Sequence, residues 1–211
     1  MFFGIPPLYD LITRAIIIPI VFTIHELSHA LTATYLGDSL PGRQGRLTLN
    51  PLAHLDPIGT ILFLLFGFGW AKPVQVNPYN LRNGPHMGMA LVAVVGPISN
   101  LILALIAAIP VRLGLIHLSG PQTIGILPSF PYLLSQFIFL NIILFLFNLL
   151  PVTPLDGSKI LRGFAPREWD GFLGMLDQYG PILLILLLVL PITGILLGGP
   201  ANFLYSTIVG A

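Results

Sequence analysis

Long apolar blocks alternate with short polar intervals along the chain, and block length decides what each can form. The first block runs from about Asp10 to Leu36 and carries Pro19, with the polar cluster His25-Glu26-Leu27-Ser28-His29 in its second half; Gly37 then stops it. A second long block, Met87 to about Leu113, holds Gly96-Pro97-Ile98-Ser99-Asn100 near its middle. Pro131 to Leu150 is the third and ends at Pro151, and Tyr179 to about Leu197 is the fourth, with Pro191 and Gly194 bending or ending it. These lengths approach or exceed the roughly 20 residues that cross about 30 Å of hydrocarbon. Four transmembrane helices are expected, at approximately 10–36, 87–113, 131–150 and 179–197.

Between the first two long blocks lies Ile58 to Trp70, an apolar run of about 13 residues that is too short for a straight crossing. It reads as a re-entrant or β-like membrane element, which is allowed at membrane depth where protein or a water-filled cavity covers it. The polar intervals on either side, Asp38 to Pro57 and Lys72 to Pro85, are rich in turn residues. Gly45 to Leu49 alternates weakly, so a short strand near Leu47 pairing with Val74-Gln75-Val76 is expected. No internal repeat is evident.

Composition agrees with the bilayer as solvent. Hydrophobic residues make up 55% of the 211 positions and charged residues only 8%, against about 25% charged in soluble domains. An all-α polytopic membrane protein follows, read as a single membrane-embedded domain over 1–211. Net charge is +1 and no run of Lys or Arg exceeds a pair, which leaves no electrostatic footprint for nucleic acid. Cysteine is absent, which excludes disulfides and thiolate metal sites. The start of the chain, with Pro6, Pro7 and Asp10 and no basic opening, does not resemble a cleaved signal peptide, so the first helix is expected to be retained. Arg43, Arg46, Lys72, Arg82, Lys159, Arg162 and Arg167 fall on one side of a four-helix arrangement, leaving two of the nine basic residues, Arg14 and Arg112, on the other. Cytoplasmic loops accumulate Lys and Arg, so these seven mark the expected cytoplasmic side of a cell membrane.

His25 and His29, four apart on a helix, share one face and can hold one metal ion, while Glu26 is placed to deprotonate a water without being a ligand. Insertion scales put Asp, Lys or Arg at a membrane helix centre at roughly 2.5–3.5 kcal/mol each, so three clustered ionisable groups call for a reason. A divalent cation supplies it. A catalytic zinc takes three protein ligands and leaves a fourth position to water. Of the remaining Asp, Glu and His, Asp156 is preferred: Pro151 and Pro154 forbid a continuing helix and Gly157 permits a tight turn, so its carboxylate can fold back toward a neighbouring helix.

Three motifs in order, His25-Glu26-Leu27-Ser28-His29, Gly96-Pro97-Ile98-Ser99-Asn100 and the Asn148 to Gly157 segment with its Pro-Leu-Asp-Gly end, resemble those of the site-2 proteases, polytopic membrane zinc peptidases. The resemblance is to short members, since the polar intervals leave no room for a PDZ or nucleotide-binding regulatory domain. It implies one Zn2+ per chain on His25, His29 and Asp156, Glu26 as the residue that activates water, and a transmembrane or membrane-associated protein as substrate. It also implies a substrate or transition-state contact for Asn100, whose other reading is a helix-to-helix hydrogen bond. Asn148, one turn before Pro151, is read either as a contact to an extended substrate or as a cap on the broken helix, and Asn141 as structural. His54 is either a solvated loop histidine or a residue at the mouth of the site, and His86 and His117 are read as interfacial. The rival function is a metal- or proton-coupled transporter, which would be expected to show internal repeats.

Overall fold

The computed structural model describes residues 6–121, 123–124, 126–190 and 192–210. Among these the fold is helical, with a two-residue antiparallel ladder, β1 (Thr123–Ile124) and β2 (Leu127–Pro128), as its one regular sheet. The helices are α1 (Leu8–Tyr35), α2 (Leu40–Arg43), α3 (Pro57–Phe66), α4 (Pro85–Arg112), α5 (Phe130–Asn148), α6 (Asp156–Phe164), α7 (Asp170–Val189) and α8 (Ile192–Val209). Four of them, α1, α4, α5 and α7, are long and apolar enough to cross a membrane.

Helix α4 is central and packs against α1, α5, α6 and α8. Small residues make this possible: Ala104 and Ala108 of α4 and Ala201 of α8 are fully or almost fully buried among Leu134, Ile138 and Ile142 of α5. Without a hydrophobic difference between lipid and side chain, such close backbone approach is what holds membrane helices together. Helices α4 and α1 also approach closely. A Cβ on Gly96 would lie 2.4 Å from the Cε1 and Nε2 atoms of His29 and 2.8 Å from Cε1 of His25. Gly96 is thus a slot for two imidazoles.

The short apolar run forms a helical hairpin rather than a β-like element. Pro57 opens α3 and the Asp56 carboxylate accepts the Gly59 N–H at 2.8 Å, a standard N-cap arrangement. At 1.5 Å per residue, its 10 residues reach about 15 Å, half the hydrocarbon thickness. After Gly67 the chain returns along the helix so closely that a Cβ on Gly59 would meet the Trp70 carbonyl at 2.2 Å. At the tip, the Arg14 guanidinium of α1 donates to the Leu64 carbonyl at 2.7 Å and the Phe63 carbonyl at 3.3 Å. The Leu64 carbonyl is one of the acceptors a helix leaves open at its C-terminal end, whereas that of Phe63 also accepts the Gly67 N–H at 2.9 Å.

Two further expectations are corrected. The strand near Leu47 and its pairing with Val74-Gln75-Val76 do not form; an isolated bridge, Leu55 to Ala71, joins the two polar intervals. Side chains replace the ladder. Arg46, 5% exposed, donates to the carbonyls of Ala53 (2.6 Å), Lys72 (2.9 Å) and Pro73 (3.1 Å). Asp38, fully buried, accepts from the Leu40 and Asn77 N–H groups and from the Asn80 amide at 3.1, 2.7 and 2.9 Å. The fourth apolar block is not one helix over 179–197: α7 starts at Asp170 and ends at Val189, and α8 follows. Leu190, before a proline, is extended (φ −81°, ψ 150°), the conformation that a following proline favours. Pro191 itself lies outside the described residues.

Burial pushes the Asp38 carboxyl up, but the hydrogen bonds from Asn80, Asn77 and Leu40 and the charge of Arg43 outweigh it and hold the pKa below its ordinary value of 3.8. A depressed folded-state pKa contributes stability above the unfolded value that is lost as pH falls through the folded one. Asp38→Ala is expected to destabilise the protein by about 2–3 kcal/mol at neutral pH, with the gap to wild type narrowing below about pH 4 in detergent melting curves. Gly96→Ala is expected to destabilise by about 1–3 kcal/mol through overpacking against the imidazoles; an unchanged melting temperature would mean that α1 and α4 sit further apart.

Candidate metal centre

His25 and His29 lie one helical turn apart on the face of α1 that meets α4, with ring centroids 4.7 Å apart and Nε2 atoms 3.1 Å apart. The third group arrives from a broken helix. α5 ends at Asn148, and the segment through Pro151 and Pro154 turns back so that Asp156 opens α6. Gly157 makes the turn possible, since a Cβ there would lie 2.3 Å from the Leu150 carbonyl and 2.4 Å from that of Leu149. As a result Asp156 Oδ2 stands 3.3 Å from His25 Nε2 and 3.1 Å from His29 Nε2. His25, His29 and Asp156 are all buried, at 9%, 7% and 5% exposure.

The hydrogen bonds behind the rings assign their tautomers. His25 Nδ1 is 2.7 Å from Asn100 Oδ1 and His29 Nδ1 is 2.7 Å from the Val92 carbonyl. Both partners accept, so both Nδ1 atoms carry the proton and both Nε2 atoms present lone pairs. Two imidazole lone pairs and a carboxylate oxygen therefore converge with no donor between them, an arrangement that repels itself unless a cation lies at its centre. The three ligand atoms lie within 4.8 Å of one another, so they could hold a metal ion. Nitrogen and oxygen donors in this number suit zinc.

Glu26, 8% exposed, does not join this group: its Oε2 accepts the Val74 N–H at 3.0 Å. Its carboxylate and the three ligand residues line one cavity of about 340 Å³, together with Trp70, Val74, Met89, Phe147, Asn148 and Lys159, among others. The α3 hairpin supplies one wall. Asn148 borders the cavity, with its amide donating to the Leu144 carbonyl at 3.0 Å. Asn100 does not line it; fully buried, it reaches the site through His25. Asn141, also fully buried, bonds the Phe137 carbonyl. His54 is neither solvated nor brought to the cavity: it is fully buried, with Nε2 2.8 Å from the Thr48 carbonyl. His86 lines a separate neighbouring cavity of about 280 Å³ with Lys159 and Arg162. The sequence motifs include Gly96 but assign no site role to Gly96, Lys159 or the Val74 N–H. Lys159, three residues after Asp156 at helical spacing, was readable; the Val74 contact carries no sequence signal.

Comparison with known proteins places this geometry in a lineage. Residues 112–170, which contain Asp156, match the model of Peptidase family M50. The Bacillus subtilis protein YwhC, named as a candidate zinc metalloprotease, is 45% identical over 175 residues, covering 81% of this chain and 77% of that protein. The Rip2 proteins of Mycolicibacterium smegmatis and Mycobacterium tuberculosis, named in the same way, are each 29% identical over 80% of this chain and 63% of their own length. No solved structure matches. With four helices able to span a bilayer and a three-residue donor group suited to the family's zinc, the chain belongs to Peptidase family M50, the metallopeptidases to which its motifs pointed.

Proposed function

We propose that this protein hydrolyses peptide bonds of membrane-spanning or membrane-associated proteins, with His25, His29 and Asp156 holding the zinc and Glu26 acting as general base. The observation that carries the reading is the convergence of three lone-pair donors beside a carboxylate that is not one of them. Zinc supplies Lewis acidity for the scissile carbonyl and for water. Asn100 and the Val92 carbonyl keep the imidazole lone pairs aimed at the metal position. Glu26, steadied at one oxygen by Val74, takes a proton from the attacking water through the other and returns it to the leaving amine. His29 lies six residues from the end of α1, roughly 9 Å inside the helix. Water and substrate reach it through the protein-lined cavity, and a helical substrate unwinds to expose its carbonyls. The extended run from Trp70 to Val76 along that cavity offers a surface for the opened segment, and Asn148 a side-chain contact.

The site is read as facing the cytoplasm of a cell membrane. Arg46 bonds the Lys72 carbonyl, the Arg82 N–H bonds the Leu36 carbonyl, and Lys159 and Arg162 share a cavity with His86, which gathers these basic residues at one end of the bundle. That distribution supports the orientation through the positive-inside rule.

His29→Ala or Asp156→Ala is expected to abolish stoichiometric zinc, measured by metal analysis of purified protein; near-stoichiometric zinc in both would refute the ligand assignment. Glu26→Gln is expected to keep zinc while cleavage of a membrane peptide falls about 10²–10⁴-fold, and wild-type turnover in that variant would rule out the proposed base. Because the chain has no native cysteine, single cysteines placed in the loops of Arg43 and Arg162 allow clean thiol labelling, which is expected from the cytoplasmic side alone.

A further inference from the structure

The two oxygens of Asp156 face different partners. Oδ2 points at the imidazole nitrogens, 3.3 and 3.1 Å away, while Oδ1 accepts a hydrogen bond from Lys159 Nζ at 3.2 Å. Lys159 follows Asp156 by three residues on α6, so its side chain lies over the same face of the helix. Its side chain is 43% exposed and borders both the catalytic cavity and the neighbouring one lined by Tyr79, His86 and Arg162. A lysine this exposed contributes little to stability through an ion pair. Its placement behind a buried carboxylate therefore calls for another explanation.

A carboxylate can bind a metal through one oxygen or two. A catalytic zinc works with three protein ligands and a free position, and a second Asp156 oxygen would compete for that position. We propose that Lys159 is a positioning residue that reserves Oδ1, so that Asp156 offers Oδ2 alone and one coordination position stays open for the reaction. This inference rests on the reading of Asp156 as a zinc ligand.

Charge separates this role from that of a simple strut. The ammonium stands on the far side of the carboxylate from the metal position and repels a divalent cation. Its removal therefore leaves metal affinity equal or higher, whereas loss of a strut that holds Asp156 in place would lower it. Retained metal with reduced turnover is the signature of a reserved oxygen. Arginine, whose guanidinium can also donate to Oδ1, is expected to restore function.

The test uses the full chain in detergent, loaded with Co2+ as a spectroscopic substitute for zinc, comparing wild type with Lys159→Met, Lys159→Leu and Lys159→Arg. In the Met and Leu variants, which carry no donor, the visible Co2+ absorption is expected to weaken as coordination rises from four to five. Chelator competition is expected to give equal or tighter metal binding. The kcat for a fluorogenic transmembrane peptide is expected to fall about 10–100-fold with KM unchanged, and Lys159→Arg is expected to recover both spectrum and kcat. A wild-type spectrum and kcat in Lys159→Met and Lys159→Leu would overturn the proposal, as would loss of metal or an effect confined to KM. If wild type takes up no Co2+, or Asp156→Ala takes it up equally well, the metal-site reading falls and this inference falls with it.

Discussion

Two imidazole nitrogens and a carboxylate oxygen held about 3 Å apart, in surroundings with little water, need a cation between them, and much of the bundle is built to hold them at that separation. Low dielectric makes the mutual repulsion severe when the centre is empty and the attraction strong when it is filled. Rigid placement from several directions follows as a requirement. His25 and His29 are fixed by the turn of α1 and, from behind, by α4 through Asn100 and Val92. Asp156 is fixed by the break after α5 and by the first turn of α6. Gly96 belongs to the same requirement, because any side chain there would occupy the volume of the imidazoles.

At the depth proposed for it, a hydrolytic site needs water where lipid would otherwise be. The α3 hairpin meets that need by placing one short helix and one extended segment, instead of a full span, beside α1. Half a crossing leaves room above it for a cavity. An extended segment at membrane depth must still satisfy its backbone groups. Here the Val74 N–H goes to Glu26 and the Lys72 N–H to the His54 carbonyl, while the Lys72 and Pro73 carbonyls go to Arg46.

The four long apolar helices were legible in the sequence because blocks of that length have one stable form in a bilayer, where backbone groups must bond within their own segment. The elements around the polar intervals were not. Weak alternation near Leu47 suggested a strand, but a single buried arginine can replace a ladder, and Arg46 carries no mark that distinguishes it from a solvated one. The fourth block reads as starting at Tyr179, where the uninterrupted apolar run begins, whereas α7 starts at Asp170. In the structure Asp177 pairs with Arg162 and accepts from Thr153, and the helix begins in that polar surface. At the site, His25 and His29 are legible from their spacing of four, and Asp156 from the proline-and-glycine break that carries it. Of the two readings of Asn100, the structure shows the hydrogen bond between helices, to His25, and its side chain does not line the cavity. Burial of His54 could not be foreseen, since it depends on a fold of the loop that leaves no periodic trace.

The position of Glu26 depends on contacts that reach to the far end of α1. Its carboxylate is steadied by Val74, and Val74 follows the segment that returns from the α3 hairpin. That segment is held against α3 by the close passage of Trp70 over Gly59, and the tip of α3 is held to α1 by Arg14. Arg14 and Glu26 stand 12 residues apart on one helix, about 18 Å at 1.5 Å per residue. The hairpin thus connects two points of α1, one at Arg14 and one at Glu26, the proposed base. A charge at each end faces the same short element, which explains why an arginine is tolerated within a membrane helix. It fixes, through backbone carbonyls, the depth at which the opposite wall of the cavity meets the base.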